Sequence, residues 1–338
     1  MALREAIDKL LGHDDLSSDE ASAALEEIVG GDVDSALIAA FLIALRMKGE
    51  RPEEIAGLAR TMRANAVAVT PKSTGLIDTC GTGGSGAGIG NVSTTAALIL
   101  AGAGVPVAKH GNRALSSKAG SADTLEALGI PLDLTAEQVA RCIDEAGIGF
   151  MFAPAFHPAM AKVMPVRRAL GIRTAFNILG PLTNPARPSF QVVGVGAADL
   201  VDLVAGALAS LDVERAIVVH GEGGVDELTC AGDCIAVFVE DGKIDRRTLR
   251  ASDAGLDEAP IETLLGGTAE ENARTVRRTL EGEAGPMTDC VLFNAGAAFL
   301  AAGRATDIRD GVEEARRSIG SGAALEALDR FISVANAV

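Results

Sequence analysis

The chain has 338 residues, with 30 basic and 46 acidic side chains, a net charge of −16 and 48% apolar residues. That apolar share excludes a disordered chain, and the length corresponds to about two domains. The negative balance opposes nucleic acid and anionic membranes as partners of the general surface, and with no Trp or Tyr there is little for bases to stack on.

Met1–Leu11 carries charges of both signs and lacks the apolar core of a signal segment. Residues 1–68 read as helices only. Apolar positions recur three and four apart through Ala2–Leu11, Ser18–Val29, Ser35–Lys48 and Pro52–Asn65, with starts at Ser18 and at Asp34 or Ser35. From Gly75 the period changes. Short β-branched or apolar runs at Gly75–Thr79, Val105–Ala108, Gly149–Phe152, Gln191–Val195 and Ala216–His220 alternate with helical segments. The longest uncharged apolar stretch, Val92–Ala108, contains Ser, Thr, two Gly and Pro106, which suits a helix, turn and strand better than a membrane span. Thr135 with Gln138 and Thr268 with Glu271 form capping-box starts, Gly129 and Gly147 stand where helices stop, and Asp241-Gly242 marks a hairpin. The pattern predicts an α/β fold with a mainly parallel sheet. Five scattered cysteines (Cys80, Cys142, Cys230, Cys234, Cys290), with no CxxC pair, read as buried thiols of a reducing compartment. The expectation is a soluble cytoplasmic protein.

The acids are unevenly spread. None occurs in the 44 residues between Asp78 and Asp123, or in the 53 between Glu145 and Asp199. These stretches keep eight Lys or Arg, so a locally cationic cleft lies within an acidic chain. Burial alone explains missing acids but not the retained bases. A small polyanionic ligand fits, because a large one meets the repelling remainder.

Four motifs fall in or beside these stretches. Residues 80–91, CGTGGSGAGIGN, hold six glycines within 81–90 and precede a helix starting near Asn91–Ser93. Backbone N–H groups there can approach an anion closely, and the helix adds its own free N–H groups. The run is neither GxGxxG with a ribose acid nor a P-loop. The second motif, Lys109 to Asp123, follows the strand expected at Val105–Ala108. Its bases, His, Asn and serines make a poor core and a good cradle for phosphate and hydroxyl groups, with Ser121 placed to cap the helix Ala122–Leu128. The third contains His157-Pro158, Arg167, Arg168 and Arg173, and the rigid turn Gly180-Pro181. One Arg there can meet a carboxylate bidentately, while others pack domains together. The fourth is VHGEGGVDE, whose Asp226 and Glu227 can both reach a hard cation.

In order and spacing these motifs closely resemble the anthranilate phosphoribosyltransferase family, second-step enzymes of tryptophan biosynthesis. KHGNRALSS, GSADTLEALG, VRRALGIRTAFNILGPLTNP and VHGEGGVDE carry the resemblance, which runs from the N-terminal helices to Asn294-Ala-Gly-Ala. It implies a small all-helical domain (1–70, with an insert near 165–185) hinged to a large α/β domain (71–338) of nucleoside phosphorylase type. Homodimers form through the helical domain in such proteins. It also implies that the amine of anthranilate displaces pyrophosphate from phosphoribosyl pyrophosphate (PRPP), with two Mg²⁺ ions per subunit.

Position by position, the resemblance puts PRPP on Gly81, Gly84, Ser85, Ile89, Asn91, Val92, Ser93 and Thr94. It continues through Lys109, His110, Gly111, Asn112, Arg113, Ala114, Leu115, Ser116, Ser117 and Ser121. Anthranilate falls to Gly81, Asn112 and Arg167, with His110, His157 and Pro181 lining its channel. Metal falls to Ser93, Asp226 and Glu227. No side chain stands out as a general base, and an aromatic amine, which loses its proton after attack, requires none.

Two positions depart from the family pattern. Ser85 stands where the loop usually reads GTGGD, and Ile89 where Thr is common. Losing the acid either tightens PRPP binding by removing repulsion or spoils Mg²⁺ placement. Losing the Thr hydroxyl removes a phosphate donor, at roughly 0.5–1.5 kcal/mol. Two rival readings share the motifs: a pyrimidine nucleoside phosphorylase, which needs no pyrophosphate–metal site, and a non-catalytic paralogue that binds nucleic acid in the basic cleft.

Overall fold

The computed structural model describes residues 2–83, 88–114 and 118–337. Four amphipathic helices open the chain: α1 (Ala2–Leu11), α2 (Ser18–Gly30), α3 (Ser35–Lys48) and α4 (Pro52–Ala64). Ser18 is the first helical residue of α2 and Ser17 its cap, in a reciprocal box with Glu20; Asp34 caps α3 through Ala36 N–H.

The α/β part follows as β1 (Ile77–Gly81), α5 (Val92–Gly102), β2 (Val107–Gly111), α6 (Ser121–Ala127), α7 (Ala136–Ala146) and β3 (Ile148–Phe152). Three short helices intervene, α8 (Ala153–Phe156), α9 (Met160–Leu170) and α10 (Phe176–Leu179). Then come β4 (Phe190–Gly194), α11 (Val201–Ala209), β5 (Arg215–His220), β6 (Cys234–Glu240) and β7 (Lys243–Leu249). Helices α12 (Ala269–Leu280), α13 (Pro286–Ala301), α14 (Ile308–Gly320) and α15 (Ala323–Asn336) complete the described chain.

The sheet order is β3-β2-β1-β4-β5-β6-β7. The first five strands are parallel, and β6 and β7 are antiparallel, joined at Asp241-Gly242 with both residues at positive φ. The chain runs outward from β1 to β3 and returns to β4 on the other side of β1. The crevice for a ligand therefore lies at the carboxyl ends of β1 and β4, where the winding reverses.

Alternation sorts the strand residues between two cores. Val192, Ile217, Val219 and Ala236 face one side, packed with α5, α7 and α12–α15. Val193, Val218, Val237 and Val239 face the other, where α11, the four N-terminal helices and residues of α9 and α10 share a core. Helix α9 packs on α2 and α3, and its Lys162 Nζ donates to the carbonyls of Val29 and Gly31 at the end of α2. The mid-chain segment thus joins the N-terminal helices. Of the cysteines, Cys142, Cys230, Cys234 and Cys290 are buried, Cys80 is partly exposed, and all five are free. No described helix is long and apolar enough to cross a membrane.

Two expected strand boundaries shift. β1 and β2 begin at Ile77 and Val107 and extend to Gly81 and Gly111, so Lys109 and His110 lie inside a strand rather than in the loop after it. Helix α6 begins at Ser121 itself with Gly120 at the cap, so Ser121 does not cap it; its Oγ donates to Asn112 O.

Candidate active site

The loops after β1, β2 and β5 and the first turn of α5 converge on the crevice. Lys109 is 1% exposed, yet its Nζ donates to Thr79 O (2.5 Å) and reaches Ser93 Oγ (3.4 Å). Burial draws the ammonium's pKa down, and nearby Asp78, Cys80 and Glu227 oppose that. Asp78 is fully buried under it. Its Oδ1 accepts His110 N–H (3.2 Å) and its Oδ2 accepts Asn184 Nδ2 (2.8 Å). Burial pushes this carboxyl's pKa up, while Lys109 and these hydrogen bonds pull against the rise. Lys109 and His110, inside β2, read as a loop in sequence because buried polar residues break a strand's apolar pattern.

Asp226 and Glu227 come from the loop after β5. Asp226 Oδ2 accepts Gly83 N–H (2.8 Å), and Glu227 accepts Ser93 N–H. Burial, and next Asp226, push the Glu227 carboxyl up to about 8. Glycines make this approach possible: a Cβ on Gly81 would lie 2.5 Å from Asp226 Oδ2, and one on Gly194 only 1.7 Å from Asp226 O. One residue beyond Ser93, Thr94 has a buried hydroxyl without a hydrogen-bond partner among the described residues. Asn91, Val92 and Ser93 lead into α5 at the same place.

The two histidines meet, with ring centroids 5.1 Å apart. His110 Nδ1 lies 3.2 Å from Gly180 O, so it carries the proton and donates. His110 Nε2 is then a bare acceptor, and His157 Nε2–H donates to it at 3.2 Å. His157 Nδ1 is left buried without a partner among the described residues. Burial holds His110 at about 3 and His157 at about 4. Pro181, beside Gly180, is buried and its carbonyl accepts Gln191 Nε2. Depressed histidines favour the fold above the unfolded value near 6.5, and that contribution is lost as pH falls toward 4. Thermal unfolding between pH 7 and 4 is expected to show a falling midpoint, flattened in His157→Asn; an unchanged slope in that variant contradicts the neutral pair.

Other expected residues have partners of their own. Arg113 forms ion pairs with Asp123 and Glu126 of α6, both at 2.8 Å. Its neighbour Ala114 donates its N–H to Asp123 Oδ2, and so does Gly120, which pins the two ends of the intervening loop. Asn112 holds Arg113 N–H through its Oδ1, at the mouth beside Gly111. Arg167 is half-buried against Phe176, its pKa lowered by burial, with Nη1 on Met164 Sδ. Arg173, one of the three arginines of the third motif, reaches Gly83 O at 3.4 Å, just after β1. Ile89 forms a β-bridge with Leu265 and packs on the apolar core. Gly84, Ser85, Leu115, Ser116 and Ser117 lie outside the described residues.

The geometry is that of an anion cradle floored by a buried cation and faced by two carboxylates. Residues 73–325 match the family described as "Glycosyl transferase family, a/b domain", and residues 4–66 match "Glycosyl transferase family, helical bundle domain". The chain belongs to that glycosyl transferase family. An anthranilate phosphoribosyltransferase of Chloroflexus aurantiacus is 54% identical over 336 residues, covering 99% of both chains. The crystal structure of the Thermus thermophilus anthranilate phosphoribosyltransferase superposes with a TM-score of 0.93 at 45% identity, covering 98% of this chain and 99% of that one. The Saccharomyces cerevisiae enzyme in complex with PRPP and Mg gives a TM-score of 0.89 at 28% identity, covering 99% and 98%. Within the family, the chain belongs to the anthranilate phosphoribosyltransferases. These relatives give no support to the phosphorylase or nucleic-acid readings.

Proposed function

We propose that the chain transfers the phosphoribosyl group of PRPP to the amine of anthranilate, giving N-(5-phosphoribosyl)anthranilate and pyrophosphate. The observation that carries this reading is the meeting of buried Lys109, the first turn of α5 and the Asp226–Glu227 pair at one crevice. The yeast relative is described with PRPP and Mg, and in a second structure with 4-fluoroanthranilate.

The residues fit Mg²⁺. Ser93, Asp226 and Glu227 offer hard oxygen donors, and no cluster of three or more His, Cys, Asp or Glu suited to a metal occurs among the described residues. A site with so few protein ligands suits an ion that keeps waters and takes oxygens from substrate phosphates. The raised Glu227 is a carboxyl that a cation would relieve. We assign two ions per subunit to this pair. Bound there, Mg²⁺ neutralises the charge that builds on the departing pyrophosphate.

The chain's own groups divide the remaining work. Lys109 supplies fixed positive charge beneath the phosphates, and Gly81 to Gly84, Asn91 to Thr94 and the Lys109–Ser117 segment with Ser121 hold PRPP. Arg173, which reaches Gly83 O, joins them. His110, His157 and Pro181 wall the anthranilate ring, and as neutral rings they add no charge to an apolar slot. Asn112 and Arg167 take its carboxylate. Catalysis is then alignment plus leaving-group neutralisation, with no side-chain base. We place the domain boundary near residue 70, with 165–185 belonging to the helical domain, through which two copies pair.

Anthranilate fluorescence is expected to decay with PRPP and Mg²⁺ and to persist with EDTA; the absence of Trp and Tyr leaves little background. Persistence in both conditions, from a folded sample, overturns the reading. The departures at Ser85 and Ile89 alter PRPP handling. The Ser85→Asp/Ile89→Thr variant is therefore expected to change the PRPP KM severalfold while leaving the melting temperature within a few degrees, and unchanged kinetics refute that.

A further inference from the structure

Asn91 leads into α5 beside the phosphate cradle, and its side-chain oxygen is already occupied. Thr124 Oγ1 donates to Asn91 Oδ1 at 2.6 Å, and Asn272 Nδ2 donates to the same atom at 2.8 Å. The direction of this chain of bonds is fixed at its far end. Gly267 N–H, a backbone donor that cannot be reversed, points at Asn272 Oδ1 (2.8 Å). Asn272 must therefore turn its amino group toward Asn91, and Asn91 must answer with its oxygen. The group left free on Asn91 is then Nδ2, a donor, and it makes no hydrogen bond to a described residue. Asn272 is 4% exposed and Thr124 fully buried, so water does not compete for these bonds.

The backbone beside Asn91 is held by bonds of its own besides the one from Gly267 to Asn272. Gly90 N–H donates to Leu264 O (2.9 Å) and Gly266 N–H to Gly88 O (2.8 Å), around the Ile89–Leu265 bridge. The Asn272 amino group thus settles which end of the Asn91 amide remains free, on a loop whose path is already set. An anion needs a donor there; an amide oxygen in its place repels phosphate.

We propose that Asn272, 181 residues away in the chain, is a positioning residue of the PRPP site, locking Asn91 so that its free end is a hydrogen-bond donor. The proposal rests on the reading of this crevice as the PRPP site. It makes an unusual prediction about two substitutions. Asn272→Asp preserves shape and the acceptor for Gly267, but sets an oxygen against Asn91 Oδ1 and drives the amide to turn over. Asn272→Ala removes the acceptor for Gly267 as well, but only lets the Asn91 amide rotate. The isosteric change is therefore the more harmful to PRPP binding, whereas a structural role makes the truncation worse.

The test measures PRPP affinity by calorimetry with Mg²⁺ and the KM values for both substrates at pH 8.5, where the introduced carboxyl is ionised. Asn272→Asp is expected to weaken PRPP about 10- to 100-fold, the scale of a hydrogen bond to a charged group lost or reversed. Asn272→Ala is expected to weaken it about two- to fivefold, with the anthranilate KM nearly constant in both. In an Asn91→Ala background the difference between the two variants should vanish. Equal or reversed effects, or a difference that survives in that background, overturn the proposal. If the Asp variant does not fold, Asn272→Ala in the presence and absence of Asn91→Ala still decides it, since additive losses contradict action through Asn91. Wild-type protein that binds no PRPP instead refutes the underlying reading of the site.

Discussion

Glu227→Gln is expected to lower kcat/KM for PRPP at fixed Mg²⁺ by about 100- to 1,000-fold, the scale on which removing a group that stabilises developing charge is felt. The Gln side chain keeps the shape and an acceptor for Ser93 N–H but loses the negative charge that would hold the cation. Stability is expected to move the other way. The folded carboxyl, raised to about 8 by burial and then by Asp226, favours its protonated form. Its contribution is intact below the unfolded value near 4.5 and is lost as pH rises through 8. At about 1.4 kcal/mol per pH unit the shift corresponds to at most about 5 kcal/mol, and water reaching the half-buried group reduces this to about 2 kcal/mol. In EDTA at pH 9 the Gln variant should therefore melt several degrees above wild type, and at pH 4 the two should coincide. Saturating Mg²⁺ should narrow the gap at pH 9. A variant that melts lower than wild type in EDTA at pH 9 contradicts this account of the acid pair.

The parts of the site that were legible in sequence are those written locally. The start of the glycine run, Lys109 within the first acid-free stretch and the adjacent Asp-Glu pair are contiguous signals, and these meet at one crevice. The capping boxes at Thr135 and Thr268 and the Asp241-Gly242 turn are local in the same sense. What was misread depends on partners distant in sequence. Lys109 and His110 look like loop residues until Asp78, Asn184 and Thr79 are brought beside them to satisfy their polar groups. The partners of Arg113 are equally hidden, because α6 must first turn Asp123 and Glu126 toward it. Arg173 gains its place only because the link between α9 and α10 passes near Gly83, 90 residues earlier. Ser121 resembles a cap by type, but Gly120 takes that position because Asp123, three residues on, accepts its N–H. A single sequence carries no sign of such pairings.

Gly194→Ala is expected to abolish most activity while leaving a folded protein, because the glycine sets how deeply the acid loop can sit. Gly194 ends β4 and pairs with Gly81 of β1 and Val219 of β5, so it lies on the crevice floor. A methyl group there would stand 1.7 Å from the Asp226 carbonyl oxygen and 2.6 Å from its carbon. Both are backbone atoms, so no rotamer change relieves the clash; either the loop lifts or the strand end bends. Lifting carries Asp226 and Glu227 together away from Ser93 and Gly83. A displacement near 1 Å at a site that works by alignment costs about 100-fold, and overpacking costs about 1–3 kcal/mol of stability. Gly81→Ala is expected to be milder in stability, since its Cβ would press on the Asp226 side chain (Oδ2 at 2.5 Å, Cγ at 3.2 Å) rather than on its backbone, but that oxygen is the one bonded to Gly83 N–H. Its effect should therefore fall mainly on the Mg²⁺ concentration needed for half-maximal rate. Gly320→Ala, with open space around the added methyl at the end of α14, is the control and should alter neither property. Steady-state rates across a Mg²⁺ series, paired with melting curves, separate the three. Gly194→Ala with wild-type rates would mean that the acid loop tolerates displacement, and that the cation is held by something other than Asp226 and Glu227.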